Sequence, residues 1–476
     1  MTRKYTMMVR PLVVFAIAMV ASLVAMVAFG TSVGKSGETT DGQTGVAADL
    51  KKTNLIRVLL PYSITYFYLE NGKKKGAAAA YMSAFEEYLN KNITEKTAPF
   101  RIQYFPMERE KIFTALARGL GDIGLGGLTI TPERLKLVDF SNPLLEDVRT
   151  FIVTGSDHPP ITELADIAGM EIHARSTSSY FDSLEDTNQN LKARQLSPVS
   201  IRSAPRGLSD ADLLEMVNEN IISATIMESD KIELWSALYS SIRVHDGLPL
   251  KQGEKIGWAV PKDSPDLKKK INQFIKTNKP TAVLPAALFN RDYGESHKLI
   301  DPKSNNYLKK FKELKPLFVK FGKTYNIDPA MLAAQAFQES RFNQNARSHV
   351  GAVGVMQMLP STARDKHVGI RDIYKLKENI EAGAKYMRFL MDHYFDDTAI
   401  SNTDQLLLAF AAYNAGPHRV LRARKNVPNP NKWFNNVEWE VGRLVGSQPL
   451  NYVRNIYIYH MIFSDLDVFV EGHTSK

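Results

Sequence analysis

The chain has 476 residues, a formal net charge of +9 and no cysteine. This length is enough for two or three domains with full-sized cores, and the lack of cysteine excludes both a disulfide framework and a lipid-modified cysteine behind an export signal. The positive charge suits an anionic polymer or a membrane surface, and because no nucleic-acid-binding motif accompanies it, we expect no nucleic-acid partner.

The first 30 residues combine a basic flank with an apolar run. Arg3, Lys4 and Arg10 precede an almost uninterrupted apolar stretch over residues 12–29. This pattern is typical of an export signal peptide or a signal anchor, and the run is just long enough to span a bilayer. Small residues at its end would permit cleavage, so the sequence leaves both alternatives open. In either case we expect the body of the protein to be exported.

Residues 31–53 are rich in Gly, Ser, Thr and Asp and are predicted to form a linker. From residue 54 to about residue 275, short β-rich runs alternate with helical stretches. Residues 56–60 predict a strand, for example, and residues 77–89 predict a helix. This alternation is typical of α/β units over parallel sheets.

Three motifs follow one another in this α/β part. Asp-Ile-Gly at residues 122–124 precedes Thr-Ile-Thr-Pro-Glu-Arg at residues 129–134 and Asp-Phe-Ser-Asn-Pro at residues 139–143. The run resembles the periplasmic solute-binding family for polar amino acids, whose members have two α/β lobes joined by a hinge. The resemblance covers most of residues 54–275.

This resemblance implies a ligand site between two lobes. Gly127, Thr129 and Arg134 match positions that bind a ligand carboxylate in the family. An arginine suits this task because its planar guanidinium donates two parallel hydrogen bonds to a carboxylate. Tyr62 stands where the family often has an acid, which leaves the specificity for free amino acids open.

The second lobe is expected to begin near Thr150. Within it, Arg175 and Ser178 match positions where the family has a basic residue and a small hydroxyl residue or glycine. Glu228 matches an acid that binds an α-ammonium group. A pair of Arg134 and Glu228 across the cleft would bind a zwitterion, with the carboxylate at one end and the amine at the other.

Residues 276–303 contain three prolines and are predicted to form a hinge and an interdomain linker. A helix is then expected to begin at Asp328, with Pro329 in its first turn. Glu339 lies near the end of this helix, on the stripe predicted to face the core. The same stripe carries Leu332, Gln335 and Ala336. Burial raises the pKa of a carboxyl and allows it to keep its proton near neutral pH, so Glu339 is a candidate general acid.

Glu339-Ser340 is followed by three further motifs. Gly354-Val355-Met356-Gln357 forms a glycine-punctuated turn, residues 412–416 (Ala-Tyr-Asn-Ala-Gly) end a helix, and Tyr452-Val453 opens another helix. These four motifs resemble the catalytic domain of the soluble-lytic-transglycosylase type, a mainly α, lysozyme-like domain that cleaves peptidoglycan. We therefore predict such a domain over residues 304–470.

This second resemblance implies a role for each matching residue. Glu339 is similar to the single general acid/base of the family, and Tyr452 to a tyrosine that holds this acid in place. The positions that match sugar-binding residues are Ser348, Met356, Gln357, Tyr413 and Asn414.

Most glycosidases use two carboxylates, whereas Glu339 is the only acid within the four motifs. Asp365 and Glu381 lie outside the motifs, and the sequence leaves their distance from Glu339 open. A single acid favours substrate assistance, which ends in a 1,6-anhydro-N-acetylmuramic acid terminus. Two alternatives remain open: a hydrolytic muramidase, and a solute-binding receptor with an inactive lysozyme-like domain.

The two resemblances together imply the partners and the location. The expected partners are peptidoglycan glycan strands, a muropeptide or stem-peptide ligand between the lobes, and a membrane surface. No metal and no cofactor are implied. The resemblance favours the periplasm and the outer membrane, and an inner-membrane anchor would follow if the apolar run is retained.

Overall fold

The computed structural model describes residues 54–278 and 299–465. Short gaps within these ranges lie at residues 64, 71–72, 92–97, 177, 206 and 237. The predicted export segment and first linker, together with residues 279–298 of the second linker, lie outside the described residues. Within the described ranges, no helix combines the length and the apolar character that a membrane span requires.

The first part of the chain is a two-lobed α/β domain, so the predicted fold class is confirmed. Its strands are β1 (Leu55–Leu60), β2 (Tyr68–Glu70), β3 (Lys73–Lys75), β4 (Arg101–Pro106), β5 (Ile123–Thr129), β6 (Asp139–Phe140), β7 (Leu145–Gly155), β8 (Glu171–Ala174), β9 (Ser200–Ser203), β10 (Ala224–Glu228), β11 (Ile242–Val244) and β12 (Lys251–Val260). Its α-helices are α1 (Ala77–Asn90), α2 (Ile112–Ala117), α3 (Pro132–Leu137), α4 (Ser179–Ala193), α5 (Asp210–Asn218), α6 (Ser229–Ser236) and α7 (Pro265–Thr277).

One sheet runs through both lobes in the order β4-β1-β5-β12-β7-β10-β8-β9. Strands β4, β1 and β5 are parallel in the first lobe, and β10, β8 and β9 are parallel in the second. Between them the long strands β12 and β7 pair antiparallel and connect the lobes. Parallel strands are covered on both faces, which explains why Val58, Leu59 and Leu60 of β1 form an unbroken buried run.

The second part of the chain is helical, as the sequence predicted. Its α-helices are α8 (Asn305–Tyr325), α9 (Pro329–Ser340), α10 (Pro360–Arg364), α11 (Leu376–Tyr394), α12 (Asn402–Ala415), α13 (Pro417–Arg424), α14 (Glu438–Val445) and α15 (Gln448–Asp465). Aromatic side chains fill the centre of this domain: the rings of Phe311 and Phe463 stack at 4.6 Å, and Phe337 meets Tyr459 edge-on at 4.8 Å. These contacts join α8, α9 and α15 into one core.

The helical domain shares its core with the second lobe. Leu213, Met216 and Val217 of α5 are buried in the same apolar cluster as Phe337 and Phe463. Because a continuous core excludes water from the contact, α5 and the helical domain are packed as parts of one body.

The helical domain also contacts the first lobe. The ring of Tyr62 stacks on Trp439 with centroids 5.5 Å apart, and Lys432 forms an ion pair of 2.9 Å with Glu108. Tyr62, which replaces an acid common in the solute-binding family, therefore forms an interdomain contact.

Candidate functional site

Helix α9 carries Glu339 in its last turn. The Asp328 side chain caps the helix by accepting a hydrogen bond of 2.9 Å from the Ala330 backbone N–H, and Pro329 occupies the first turn. Arg341 caps the end of the helix. Its backbone is left-handed, with a φ of 52°, and its N–H donates a hydrogen bond to the carbonyl of Phe337. The helix therefore begins where the sequence predicts it, and Glu339 lies near its end as expected.

The side chain of Glu339 is half-buried. The hydroxyl of Tyr452 donates a hydrogen bond of 2.5 Å to Oε1 of Glu339, and Gln335 Nε2 lies 3.4 Å from that hydroxyl. Burial raises the pKa of Glu339 to about 7, although the Tyr452 hydroxyl lowers it. A carboxyl with this pKa is protonated in about half of the molecules at neutral pH, so it can both donate and accept a proton.

Gln335 is a site residue to which sequence reasoning assigned no role. It is fully buried, and its Oε1 has no hydrogen-bond partner among the described residues. The available signal was its place one helical turn before Glu339, on the stripe predicted to face the core. Its amide places a further polar group beside the Tyr452 hydroxyl that binds the acid.

The loop after α9 is held against the acid by two polar side chains. Ser340 Oγ donates a hydrogen bond of 2.9 Å to the carbonyl of Val355. Asn379, fully buried in α11, accepts a bond of 2.8 Å from the Met356 N–H and donates to the carbonyls of Val353 and Ile373 at 2.8 and 2.9 Å. No sequence motif singled out Asn379, because its partners come from a different segment.

Tyr413 lies beside this loop, at the carboxy-terminal end of α12. Its hydroxyl donates to the carbonyl of Met356 at 2.7 Å, and its ring centroid lies 5.3 Å from that of Tyr386. Met356 stays a predicted sugar-binding residue. Its side chain is fully buried and packs against Gly383, so the carbonyl that holds Tyr413, and not the thioether, is its link to the site.

The other predicted sugar-binding residues are half-buried around the loop. Ser348 accepts a hydrogen bond of 2.9 Å from the Ala352 N–H through its Oγ, which folds the loop back on itself. Gln357 has a left-handed φ of 45°, and its Nε2 donates to the Gly354 carbonyl at 2.9 Å. Asn414 follows Tyr413 at the end of α12. Their contact with sugar stays a prediction.

The two carboxylates whose distance from Glu339 the sequence left open form hydrogen bonds with other residues. Asp365 is exposed and accepts a hydrogen bond of 3.0 Å from the His367 N–H, whereas Glu381 accepts one of 3.2 Å from the Tyr325 hydroxyl. Among the described residues, none of the hydrogen bonds to Glu339 involves a second carboxylate.

The residues predicted to bind a ligand between the lobes form hydrogen bonds within the protein itself. In the first lobe, Thr129 is buried and its hydroxyl donates to Oε1 of Glu228 at 3.2 Å. Arg134 donates to the Thr129 carbonyl at 2.7 Å and lies over the ring of Phe113 at 4.8 Å. The Gly127 carbonyl accepts a hydrogen bond from Arg109.

Arg134 and Glu228, the pair predicted to bind a zwitterion, both have partners within the protein in this structure. Glu228 is fully buried, and the Lys231 ammonium lies 2.8 Å from its carboxylate, where the ammonium of a ligand was expected. The Tyr180 hydroxyl donates to the same carboxylate at 2.9 Å. Burial alone would raise the pKa of Glu228, but the positive charges of Lys231 and Arg109 outweigh it and hold this pKa below its usual range. Lys231 follows Glu228 by three residues, a spacing that could have signalled this pair.

Arg175 and Ser178 are likewise engaged within the second lobe. Arg175 Nε donates to Asp210 at 2.7 Å, and Ser178 Oγ donates to the Arg175 carbonyl at 2.7 Å. Asp210 also pairs with Lys231 at 3.0 Å. Burial would raise the pKa of Asp210, but these two cations hold it well below its usual range.

A cavity of about 660 Å³ opens beside this charged cluster. Arg175 and Lys231 line it from the second lobe, Glu108 lines it from the first, and Lys432 and Asn435 line it from the helical domain. The cavity therefore has walls from all three parts of the protein. Within the described ranges, no group of three His, Asp or Glu side chains is placed to hold a metal ion.

Two family models match the chain. Residues 59–285 match the bacterial extracellular solute-binding proteins of family 3, and residues 316–436 match the transglycosylase SLT domain. Curated relatives named membrane-bound lytic murein transglycosylase F match both domains together. The relative from Desulfosudis oleivorans is 28% identical over 439 residues, or 87% of this chain and 90% of that protein. The relative from Ectopseudomonas mendocina is 26% identical over 464 residues, or 92% and 90%.

Solved structures of solute-binding proteins align with part of the chain. An ancestral arginine-binding protein bound to arginine aligns with a TM-score of 0.38 and 21% identity, covering 51% of this chain and 99% of that one. A putative L-cystine ABC transporter from Listeria monocytogenes aligns with a TM-score of 0.39 and 18% identity, covering 47% and 89%.

Proposed function

Because this chain joins a family 3 solute-binding domain to a transglycosylase SLT domain, we propose that it is a lytic transglycosylase that cleaves the glycan strands of peptidoglycan. The observation that carries the proposal is the half-buried Glu339 carboxyl, which has a pKa of about 7 and accepts a hydrogen bond from Tyr452. A group with this pKa can donate a proton in one step of a reaction and recover it in the next.

The proposed reaction uses Glu339 twice. Protonated Glu339 first donates its proton to the oxygen that joins C1 of N-acetylmuramic acid to O4 of N-acetylglucosamine, so this bond breaks and the 4-hydroxyl leaves. The acetamido oxygen of the muramic residue stabilises C1 during this step. The Glu339 carboxylate then takes the proton of the muramic 6-hydroxyl, whose oxygen bonds to C1. The product is a 1,6-anhydro end, no water is consumed, and Glu339 regains its proton.

The surroundings of Glu339 favour this route over hydrolysis. A hydrolase with two carboxylates needs the second one about 5–9 Å from the acid. Among the described residues, burial and the Tyr452 hydroxyl account for the shifted pKa of Glu339, and neither Asp365 nor Glu381 contributes to it. With Glu339 as a single acid, substrate assistance is the simpler mechanism.

Digestion of purified sacculi tests this proposal. We expect mass spectrometry to find 1,6-anhydro-N-acetylmuramic acid ends in the soluble products of the exported protein, and none with the Glu339→Gln variant. Hydrated reducing ends in their place would make the protein a muramidase. Intact sacculi, with the purified protein folded, would favour the receptor with an inactive domain.

We further propose that the solute-binding domain senses a peptide released from the cell wall. Since Lys231 already occupies the Glu228 carboxylate, a free amino acid would have to displace it, whereas the cavity of about 660 Å³ has room for a longer ligand. The carboxylates and amines of a stem peptide would meet Arg175, Lys231 and Lys432 along its walls.

Titration of the protein with soluble stem peptides tests this second part. Binding is measured by calorimetry, and the rate of sacculus digestion is followed at each peptide concentration. We expect stem peptides to bind and to change the rate, and free amino acids, as the matched control, to do neither. An unchanged rate at saturating peptide would contradict a sensing role. We place the activity in the cell envelope, at a membrane, as the name of the curated relatives suggests.

A further inference from the structure

Helix α15 has a different neighbour on each of two opposite faces. Tyr452, near its start, faces α9 and donates to Glu339. Arg454 follows two residues later, about 200° further around the helix, and reaches α5 of the solute-binding domain. The helix that holds the candidate acid is therefore in direct contact with the second lobe.

Arg454 binds two acids of α5. Its Nε donates to Asp212 and its Nη2 to Glu215. The side chains of Arg454, Asp212 and Glu215 are 16, 13 and 2% exposed, so the interaction is nearly dry. Glu215 also accepts a hydrogen bond of 2.8 Å from the Leu299 N–H. Charge-assisted hydrogen bonds that are shielded from water are strong and fix the geometry of both partners.

Helix α5 is itself held at its beginning. Ser209 and Asp212 form a capping box at its first turn. Asp210, its first residue, binds Arg175 and Lys231 in the charged cluster between the lobes. The helix that supplies Asp212 and Glu215 to Arg454 is therefore fixed to the part of the solute-binding domain that surrounds the cavity.

We propose that Arg454 is a positioning residue: its ion pairs with α5 fix α15 so that the Tyr452 hydroxyl meets Glu339. The solute-binding domain thereby completes the geometry of the active site. This inference rests on the proposed function, because it assigns to Arg454 an effect on the acid of that reaction.

The hydrogen bond from Tyr452 lowers the pKa of Glu339, which gives the proposal a distinctive signature. If α15 shifts, this bond lengthens and the pKa of Glu339 rises above about 7. The decline of kcat/KM at alkaline pH, where the general acid loses its proton, then moves to higher pH. Among the described residues, Tyr413 also lies near Glu339, and its pKa, like that of Tyr452, is raised well above its usual value and lies outside this range.

The test compares variants of the exported full-length protein on sacculi. For Arg454→Met we expect kcat to fall about tenfold, KM to stay nearly constant, and the alkaline limb of kcat/KM to move to higher pH. Tyr452→Phe should shift the limb in the same direction, and the double variant should be no worse than Tyr452→Phe alone. Arg454→Lys should recover part of the activity, since an ammonium can replace one of the two bonds. Arg443→Met, which breaks an ion pair with Glu440 inside the helical domain, is the matched control and should leave the profile unchanged.

A second variant protects the test against misfolding. Asp212→Asn removes one negative charge from the partners of Arg454 but keeps an oxygen for the capping box, so the variant should fold. Its alkaline limb of kcat/KM should move in the same direction as that of Arg454→Met, by a smaller amount. Glu438, which lies near Asp212, has a pKa that burial raises to about 7, so each profile is repeated with Glu438→Gln. A lower rate without any shift of the limb, or losses that add up in the double variant, would overturn the positioning role. An inactive wild-type protein would instead overturn the proposed function.

Discussion

Replacement of Glu339 by glutamine separates the chemistry of the carboxyl from its effect on folding. The pKa of Glu339 is about 7 in the folded protein, against an ordinary value of 4.5. Each pKa unit corresponds to about 1.36 kcal/mol, so the ionised carboxylate is less stable in the fold than in water by up to about 3 kcal/mol. Glutamine keeps the shape of the side chain and cannot ionise.

The sign of the effect follows from proton linkage. Between about pH 4.5 and pH 7 the folded protein holds a proton on Glu339 that the unfolded chain has lost, so stability falls as the pH rises through this window. Above pH 7 the loss is complete. We therefore expect Glu339→Gln and the wild type to be similarly stable near pH 4, and the variant to be more stable at pH 8 by up to about 3 kcal/mol.

Urea unfolding, with hydrogen–deuterium exchange of α9 as the readout, measures this difference in stability, because the exchange reports on the segment that carries the acid. In the same samples, the loss of proton transfer should lower turnover of sacculi by a factor of at least about 10². A stability difference that is the same at pH 4 and pH 8 would refute the raised pKa. Turnover within tenfold of the wild type would refute the role of Glu339 as general acid.

Three further predictions concern the protonation of the acid, the loop beside it and the cleft. In pH–rate measurements kcat/KM should decline above about pH 7, because Glu339 must be protonated to act as the acid. If this decline disappears in the Glu438→Gln variant, the titrating group is Glu438 and the prediction for Glu339 is wrong. Asn379→Ala removes three hydrogen bonds from a buried loop, so we expect thermal unfolding to show a loss of about 2–4 kcal/mol together with lower activity, and a fully stable, fully active variant would contradict this. Lys231→Met leaves Glu228 buried without its closest cation, so calorimetric unfolding of the solute-binding domain should show a loss of about 3–5 kcal/mol, and a change below about 1 kcal/mol would show that this pair is not needed.

Much of the fold could be predicted from the sequence because it depends on local order. The predicted helix over residues 77–89 is α1, and the predicted strand over residues 56–60 lies within β1. The cap at Asp328 and the position of Glu339 in the last turn of α9 were also readable, because helix periodicity and capping need only neighbouring residues.

The site was less predictable where function depends on what a side chain meets. Met356 stands in a motif that suggests sugar contact, yet its thioether is buried, since the motif does not reveal which atoms face the cleft. Arg134 and Glu228 are predicted to bind a ligand, yet each already has partners within the protein. A lysine three residues away was enough to change the expectation for Glu228.

The sequence by itself determined two domain types, their order along the chain and a single acid on a stripe that faces the core. It did so because spacing, capping and hydrophobic periodicity are properties of consecutive residues. Only the tertiary structure decided that Arg454 binds Asp212 and Glu215, which precede it by 242 and 239 residues. The physical reason is that a charge buried at an interface needs a partner, and only folding determines which distant residue supplies it.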